Sequence, residues 1–272
     1  MFNMINRNML IWAVCLCLFS NACIVQGASQ VDFSLKEDEA AISFFPLFDG
    51  EATLVQDGTN RVILINTGSK RSRKELAYWL DFYHIKQINQ VIITKQSEKY
   101  NGNVDWVTKQ YQVEELIVPK GSKELQTQHT TMWKTKDMYQ LSKHIHVSVL
   151  YHEEENIPSM DFIVAFGEHQ MLYMSSPAST IEQHLLMKPV RKIDLIKLAN
   201  FGEGEPLSEP FLKQLNPQIG VLFSKENRTI HPDLASRLTD GWIELYDTNK
   251  RESLSIKMSP TIYDVMKFKK TT

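Results

Sequence analysis

Short apolar runs, each closed by polar turn residues and separated by stretches of helical periodicity, recur along this chain from Ala41 onward. That alternation constrains the fold more than any other feature. An apolar run of about four to eight residues suits a buried strand, whereas apolar residues three or four apart need a helix to share a face. Strands are expected at Ala41–Phe48, Ala52–Gln56 and Arg61–Asn66, the last two joined by the hairpin signal Asp57-Gly58-Thr59-Asn60. A helix follows, with Ser72-Arg73-Lys74-Glu75 in capping-box form and Leu76, Trp79, Leu80 and Tyr83 at helical spacing.

Strand Ile88–Thr94, helix Val104–Gln110 and strand Val113–Val118 come next, and the polar stretch Gly121–Lys143 has no clear period. His144–Tyr151, Met160–Phe166 and Gln170–Met174 read as strands and Thr180–Met187 as a helix. The last third alternates again: strand Lys192–Ala199, helix Leu207–Leu215, strand Gln218–Phe223, helix Pro232–Leu238, strand Trp242–Tyr246. Two strand-rich halves that each end in strand–helix alternation imply an α/β fold with two mixed sheets face to face and helices outside. No Pro- or Ser-rich linker divides the chain, so residues 28–272 are read as one domain.

The first 27 residues stand apart. They carry one charge, Arg7, then an apolar run from Met9 to Phe19 and the small residues Ala22 and Gly27, with Ala28 following. The run is short for a bilayer span, and the layout is that of a secretory signal peptide; an uncleaved N-terminal anchor is the alternative. Ser-Asn-Ala-Cys at 20–23 has the form of a lipoprotein cleavage box with Ser20 where Leu is preferred, which would lipidate Cys23. The expectation is an exported protein, secreted or attached to the cell envelope, with no further transmembrane segment. The three cysteines, Cys15, Cys17 and Cys23, all lie here, so cleavage before Ala28 leaves no disulfide, thiol nucleophile or thiolate ligand. Across the whole chain 43% hydrophobic residues suffice for a full core, and a formal net charge of −2 gives no global basic field for nucleic acid or anionic lipid.

Residues 91–102, VIITKQSEKYNG, are an apolar run that stops in a polar loop, the place where an α/β enzyme keeps its chemistry. Here the chain resembles the metallo-β-lactamase superfamily, most closely the soluble hydrolase domain of ComEC-type DNA-uptake proteins, from about Phe44 to Met258. PLFDGEA (46–52) is similar to that family's D-x-G-Q-G-D-A, keeping Gly50 and Ala52, with Pro46 and Glu51 at the acids. Ile65-Asn66-Thr67-Gly68 resembles I-D-T-G with the acid turned to an amide. Against the metal loop H-x-H-x-D-H, Lys95, Ser97 and Tyr100 stand for the histidines and Lys99 for the aspartate. LYMSSPAS (172–179) resembles a strand ending T-G-D-A, with Pro177 for the bridging aspartate. LIKLANFGEGE (195–205) resembles K-V-x-H-H-G-S, with Asn200 and Phe201 for the two histidines, and FLKQLNPQIGVLFSKENRTIHP (211–232) keeps the F-L-x-x-x-x-P pattern and His231-Pro232.

The resemblance implies an αββα sandwich whose metal positions have been emptied of donors. Zinc needs three or four converging N, S or O donors, and a lysine ammonium is a cation with no lone pair to give. No catalytic residue, metal or other cofactor is therefore expected. The vacated loop brings Lys95 and Lys99 near Asp49, Glu51, Glu203 and Glu205. Pairing of these charges across a closed cleft is the expectation; the alternative is an anion site of Lys95 and Lys99 helped by Arg71 and Arg73.

Other constellations are weaker. His144-Ile145-His146 with His152 and Glu153–Glu155 could be a metal cluster, but alternating polar residues more often mark the wet face of a strand. Lys70-Arg71-Ser72-Arg73-Lys74 could meet phosphates or be a solvated first helical turn. No G-x-S-x-G elbow or phosphate-binding glycine loop occurs, and Asn227-Arg228-Thr229 is a glycosylation sequon. The leading expectation is a non-catalytic binding or regulatory module, its partner another envelope protein or an anionic ligand. The alternatives are a metal-dependent phosphodiesterase or nuclease with relocated ligands, and a non-catalytic nucleic-acid-binding module.

Overall fold

The computed structural model describes residues 30–270 except 124, 126–128, 187–191, 224–229 and 249–251. The expected leader, its three cysteines and the sequon at Asn227 lie outside the described residues. Among the described residues no helix is long and apolar enough to cross a membrane.

Strands β1 (Ala40–Phe44), β2 (Thr53–Asp57) and β3 (Val62–Ile65) form an antiparallel meander. Its second turn is held by Asp57, whose Oδ1 accepts from the N–H groups of Thr59 and Arg61, at 3.0 and 2.9 Å, and from the Thr59 hydroxyl. A 3-10 turn (Lys70–Ser72) leads into α1 (Arg73–Phe82), which buries Leu76, Trp79 and Leu80 as its period requires. The expected capping box does not form. The Ser72 hydroxyl instead donates to the carbonyl of Asp49 (2.6 Å) and accepts its N–H (2.8 Å), tying the 46–52 loop to the helix start.

Strand β4 (Gln90–Ile92), the short helices α2 (Glu98–Asn101) and α3 (Val104–Gln110), and β5 (Glu115–Pro119) extend the first sheet in parallel. The polar stretch 121–143 contains two strands, β6 (Thr130–Trp133) at the edge of the first sheet and β7 (Met138–Gln140) at the edge of the second. Both are short edge strands with almost no fully buried position, which is why no period marked them.

The second sheet runs through β8 (Ile145–Glu153), β9 (Ser159–Phe166) and β10 (His169–Tyr173), antiparallel. Helix α4 (Ala178–Leu185) then leads to β11 (Leu195–Lys197), α5 (Glu209–Leu215), β12 (Ile219–Leu222), α6 (Pro232–Asp240) and β13 (Glu244–Asp247), the strands now parallel. Helix α4 begins two residues before its expected start because Pro177, with φ −54° and ψ 149°, already supplies an N-cap geometry. A C-terminal hairpin of β14 (Glu252–Met258) and β15 (Tyr263–Lys269), not anticipated as strands, returns to the first sheet beside β1.

The result is eight strands in one sheet and seven in the other, ordered β15-β14-β1-β2-β3-β4-β5-β6 and β13-β12-β11-β10-β9-β8-β7. Alternation along β3 shows how the layers form: Ile63 and Ile65 join the core between the sheets, while Leu64 faces outward to Leu76, Trp79 and Leu80. On the far side Ile181, Phe211, Leu215 and Leu238 cover the second sheet. Each fully buried Leu, Ile or Phe contributes about 1.5–3 kcal/mol, so this three-cluster core holds the αββα sandwich without any covalent bridge. Two mixed sheets with outer helices is the architecture expected.

Candidate functional site: the cleft at the strand ends

Parallel strands bring the ends of β3 and β4 opposite the ends of β10 and β11, and the loops leaving them enclose one cleft. Close approach of three loops requires glycine. A Cβ on Gly50, whose φ is +93°, would lie 2.3 Å from the Lys99 carbonyl oxygen, and one on Gly102 would lie 2.6 Å from the Lys70 nitrogen. Asn66 takes φ +63°, a left-handed position that Asn tolerates. Its amide oxygen accepts the N–H of Thr94 (2.8 Å), and its Nδ2 donates to the Thr94 hydroxyl (3.0 Å) and toward the Tyr173 hydroxyl (3.4 Å). Ser175 joins by donating its hydroxyl to that of Thr94, at 2.7 Å.

Two ammonium groups and two carboxylates occupy the centre. Lys197, at the end of β11, is fully buried and donates to the equally buried Glu51 carboxylate and to the Met174 carbonyl (2.9 Å). The rings of Tyr173, Phe223 and Tyr100 surround its Nζ at 4.8, 5.6 and 5.8 Å. Lys95 donates to the Asn200 side-chain oxygen (3.1 Å) and toward the Ser175 carbonyl (3.4 Å). Asp161, buried on β9, accepts the N–H groups of Ser175 and Ser176.

Burial moves all four groups toward neutrality. It pushes the Glu51 carboxyl up, against the pull of Lys197, and pushes Asp161 up, against the hydroxyl and N–H of Ser176. It lowers Lys197 and Lys95, with the Glu51 charge the largest opposing influence on each. The Tyr100 phenol is driven well up, first by burial and then by the Glu51 charge. Formal charges in the cleft cancel, two against two.

The positions singled out from the sequence separate into three groups. Lys95, Tyr100, Asn200 and Phe201 meet in the cleft, where Phe201 lies 6.1 Å from the Tyr100 ring and Lys99 sits 5.0 Å over the Phe201 ring. Asn200, Phe201 and Gly202 all have positive φ, and this left-handed turn is what tips Phe201 inward. Ser97 and Pro177 are N-cap residues of α2 and α4, and neither side chain makes a cap bond. Arg71 and Arg73 lie outside, their guanidiniums over Phe48 (4.7 Å) and Trp106 (4.8 Å).

Charge pairing is distributed differently from the expectation. Lys99 does lie 3.7 Å from Asp49, but the partner of Glu51 is Lys197, not Lys95, whose hydrogen bonds go to neutral groups. Glu203 is half-buried and Glu205 exposed. Lys197 and Asp161 were not singled out from the sequence. Each sits in an apolar strand, Leu195–Leu198 and Met160–Phe166, and a lone charge in such a run signals a buried partner.

The donor set does not fit a metal centre. Among the described residues no group of three or more His, Cys, Asp or Glu could hold an ion. The two cleft carboxylates are engaged by an ammonium and by backbone N–H groups, and Lys95, Asn200, Tyr100 and Phe201 around them offer an ammonium, an amide, a phenol and a phenyl ring. The histidines in and just before β8 do not converge: His144 edges onto the Phe166 ring, and His152 bonds Thr135 through Nδ1 and Glu154 through Nε2.

No protein-family profile matches this chain, and no curated protein matches it. Solved structures do. The metallo-β-lactamase fold protein YhfI from Bacillus subtilis superposes with a TM-score of 0.53 at 12% identity, over 76% of this chain and 95% of that one. A variant of the CmlA β-hydroxylase superposes with a TM-score of 0.53 at 10% identity, over 81% of this chain and 54% of that one. Such identities establish the fold: this is a protein of the metallo-β-lactamase fold.

Proposed function

We infer that this chain is a non-catalytic metallo-β-lactamase-fold protein that works as a binding or regulatory module. The observation carrying that reading is the 3.1 Å bond from the Lys95 ammonium to Asn200 across the cleft, which joins two former ligand positions to each other. Side chains spent on one another in this way staple the two sheets and do not converge on an ion. The Glu51–Lys197 pair beneath them does the same at full burial. Kinship closest to the hydrolase domain of ComEC-type proteins is part of the proposal, supported by Gly50, Gly68, Gly102 and the 195–205 stretch. Export to the envelope, supported by the apolar run after Arg7, completes it.

The test is elemental analysis of protein purified without chelators, together with assay of bis(p-nitrophenyl) phosphate hydrolysis in zinc, manganese and magnesium. Far less than one metal per chain and no hydrolysis above buffer are expected. Stoichiometric metal with chelator-sensitive phosphodiesterase activity would establish the alternative, an active hydrolase with relocated ligands.

A further inference from the structure

Four cations stand within five residues at the start of α1: Lys70, Arg71, Arg73 and Lys74, all exposed. None has an ion pair among the described residues, whereas Lys36, Lys86, Lys120, Lys143 and Lys213 each lie beside a carboxylate. Their position is unfavourable to the fold itself. They crowd the positive end of α1, and Lys70 and Lys74 form a like-charged pair four residues apart.

The sequence alone shows a basic run without aromatics, but the fold brings two rings to it. Arg71 lies over Phe48, a residue 38% exposed, and Arg73 lies over the half-buried Trp106. Hydrogen bonds fix the three segments together. Ser72 clamps the backbone of Asp49 beside Phe48, the Asn103 amide just before α3 holds the carbonyls of Thr67 (2.8 Å) and Ser69 (2.7 Å), and the Lys70 N–H is held by Glu98 (2.8 Å). A guanidinium stacked on a ring loses little further freedom on binding and keeps its N–H fork free for a carboxylate.

We propose that this patch is a docking face for a short acidic segment of a partner protein, one carrying glutamates or aspartates around an apolar residue. Charge complementarity names the anion, and the exposed Phe48 edge names the apolar residue. The footprint names the length. Asp49, tied to Ser72, and Glu98, tied to the Lys70 N–H, border the cations, so a long polyanion would run from the patch onto these carboxylates. Nucleic acid is disfavoured for a second reason: the guanidiniums already cover the Phe48 and Trp106 rings, which a base would need as stacking platforms. The proposal names the partner chemistry of the binding module inferred above and rests on that reading only for its biological sense.

Fluorescence anisotropy tests it with the full chain and a labelled decapeptide of glutamates flanking one phenylalanine. Binding is expected at about 50 mM salt and should weaken steeply by about 300 mM. Arg71→Glu/Arg73→Glu should weaken it roughly tenfold or more, while Lys143→Glu/Lys213→Glu, a charge-matched control at cations already paired, leaves it unchanged. Thermal melting of both variants verifies folding, and Arg71→Gln/Arg73→Gln, a milder change, should give an intermediate loss. Absence of peptide binding, equal loss in the control, tighter binding of a single-stranded oligonucleotide to the same patch, or peptide-independent self-association lost in the same variant would each overturn the proposal. A metal-loaded, hydrolytically active protein that still binds the peptide through Arg71 and Arg73 would overturn only the non-catalytic reading.

Discussion

Replacing Lys197 by Met should be among the most damaging single changes in this protein, and a second change should repair it. Lys197 and Glu51 are both at 0% exposure and bonded to each other, so Lys197→Met leaves a carboxylate buried beside Tyr100 and Tyr173 without its counter-ion. Breaking a buried pair on one side costs about 3–5 kcal/mol. Urea unfolding followed by circular dichroism reads this directly: with an m-value of about 3 kcal/mol/M, the midpoint should fall by about 1–1.7 M. Glu51→Leu/Lys197→Met removes both charges and should recover part of the loss, because well-packed apolar replacements for buried pairs are often neutral but the Met174 carbonyl loses its donor.

The pH dependence has a definite sign. Burial holds the Glu51 carboxyl above its ordinary 4.5, and loss of Lys197 removes the charge that opposes this. A carboxyl raised in the folded state favours folding while protonated, so the Lys197→Met protein should gain stability as pH falls toward 4.5 and lose it as pH rises through the folded value. The reasoning fails if Lys197→Met is as stable as the parent at pH 7, or if its deficit is flat between pH 8 and 5.

Gly50→Ala should destabilise by at least ~1–3 kcal/mol, since a Cβ at φ +93° would also press within 2.3 Å of the Lys99 carbonyl; an unchanged melting temperature would show that the loop contact is loose. Tyr83→Phe should cost about 1–2 kcal/mol in urea unfolding, because the Tyr83 hydroxyl lies 2.7 and 2.8 Å from the buried Ser253 and Ser255 hydroxyls. Asn66→Asp places an acid in the cleft and removes the amide that donates to Thr94, so it should lower stability at neutral pH and less so in acid. Added zinc or manganese should not raise its melting temperature, and a metal-dependent rise would reopen the cleft as a metal site.

The fold was legible where one period dominated. Leu76, Trp79 and Leu80 face the first sheet as their spacing requires, and the run around Ile63 alternates between two cores. It was illegible at the margins of the sheets. Met138–Gln140 and Tyr263–Lys269 are edge strands in which polar and apolar residues alternate without a fully buried side, and β14 was lost with its hairpin partner. The site was half legible. The sequence singles out Lys95, Tyr100, Asn200 and Phe201, which do meet in the cleft, but the partner of a buried charge cannot be read from it. Lys197 and Glu51 are 146 residues apart, and only the packing of one sheet on the other brings them together.

Geometry also explains why the cleft between the sheets is polar. The end of β10 leaves buried backbone groups pointing into the cleft: the carbonyls of Met174 and Ser175 and the N–H groups of Ser175 and Ser176. Apolar side chains would fill that volume and leave each of these groups unpaired, at about 1–3 kcal/mol apiece. Lysines reach the carbonyls, a carboxylate reaches the N–H groups, and each charge so recruited calls for an opposite one nearby. Lys197 thus brings Glu51, and Asp161 balances Lys95 at longer range. The four-charge centre follows from the strand ends themselves. Apolar substitution of Glu51 with Lys197 can therefore succeed only to the extent that the Met174 carbonyl finds another donor, and the fraction of stability the double variant recovers measures that directly.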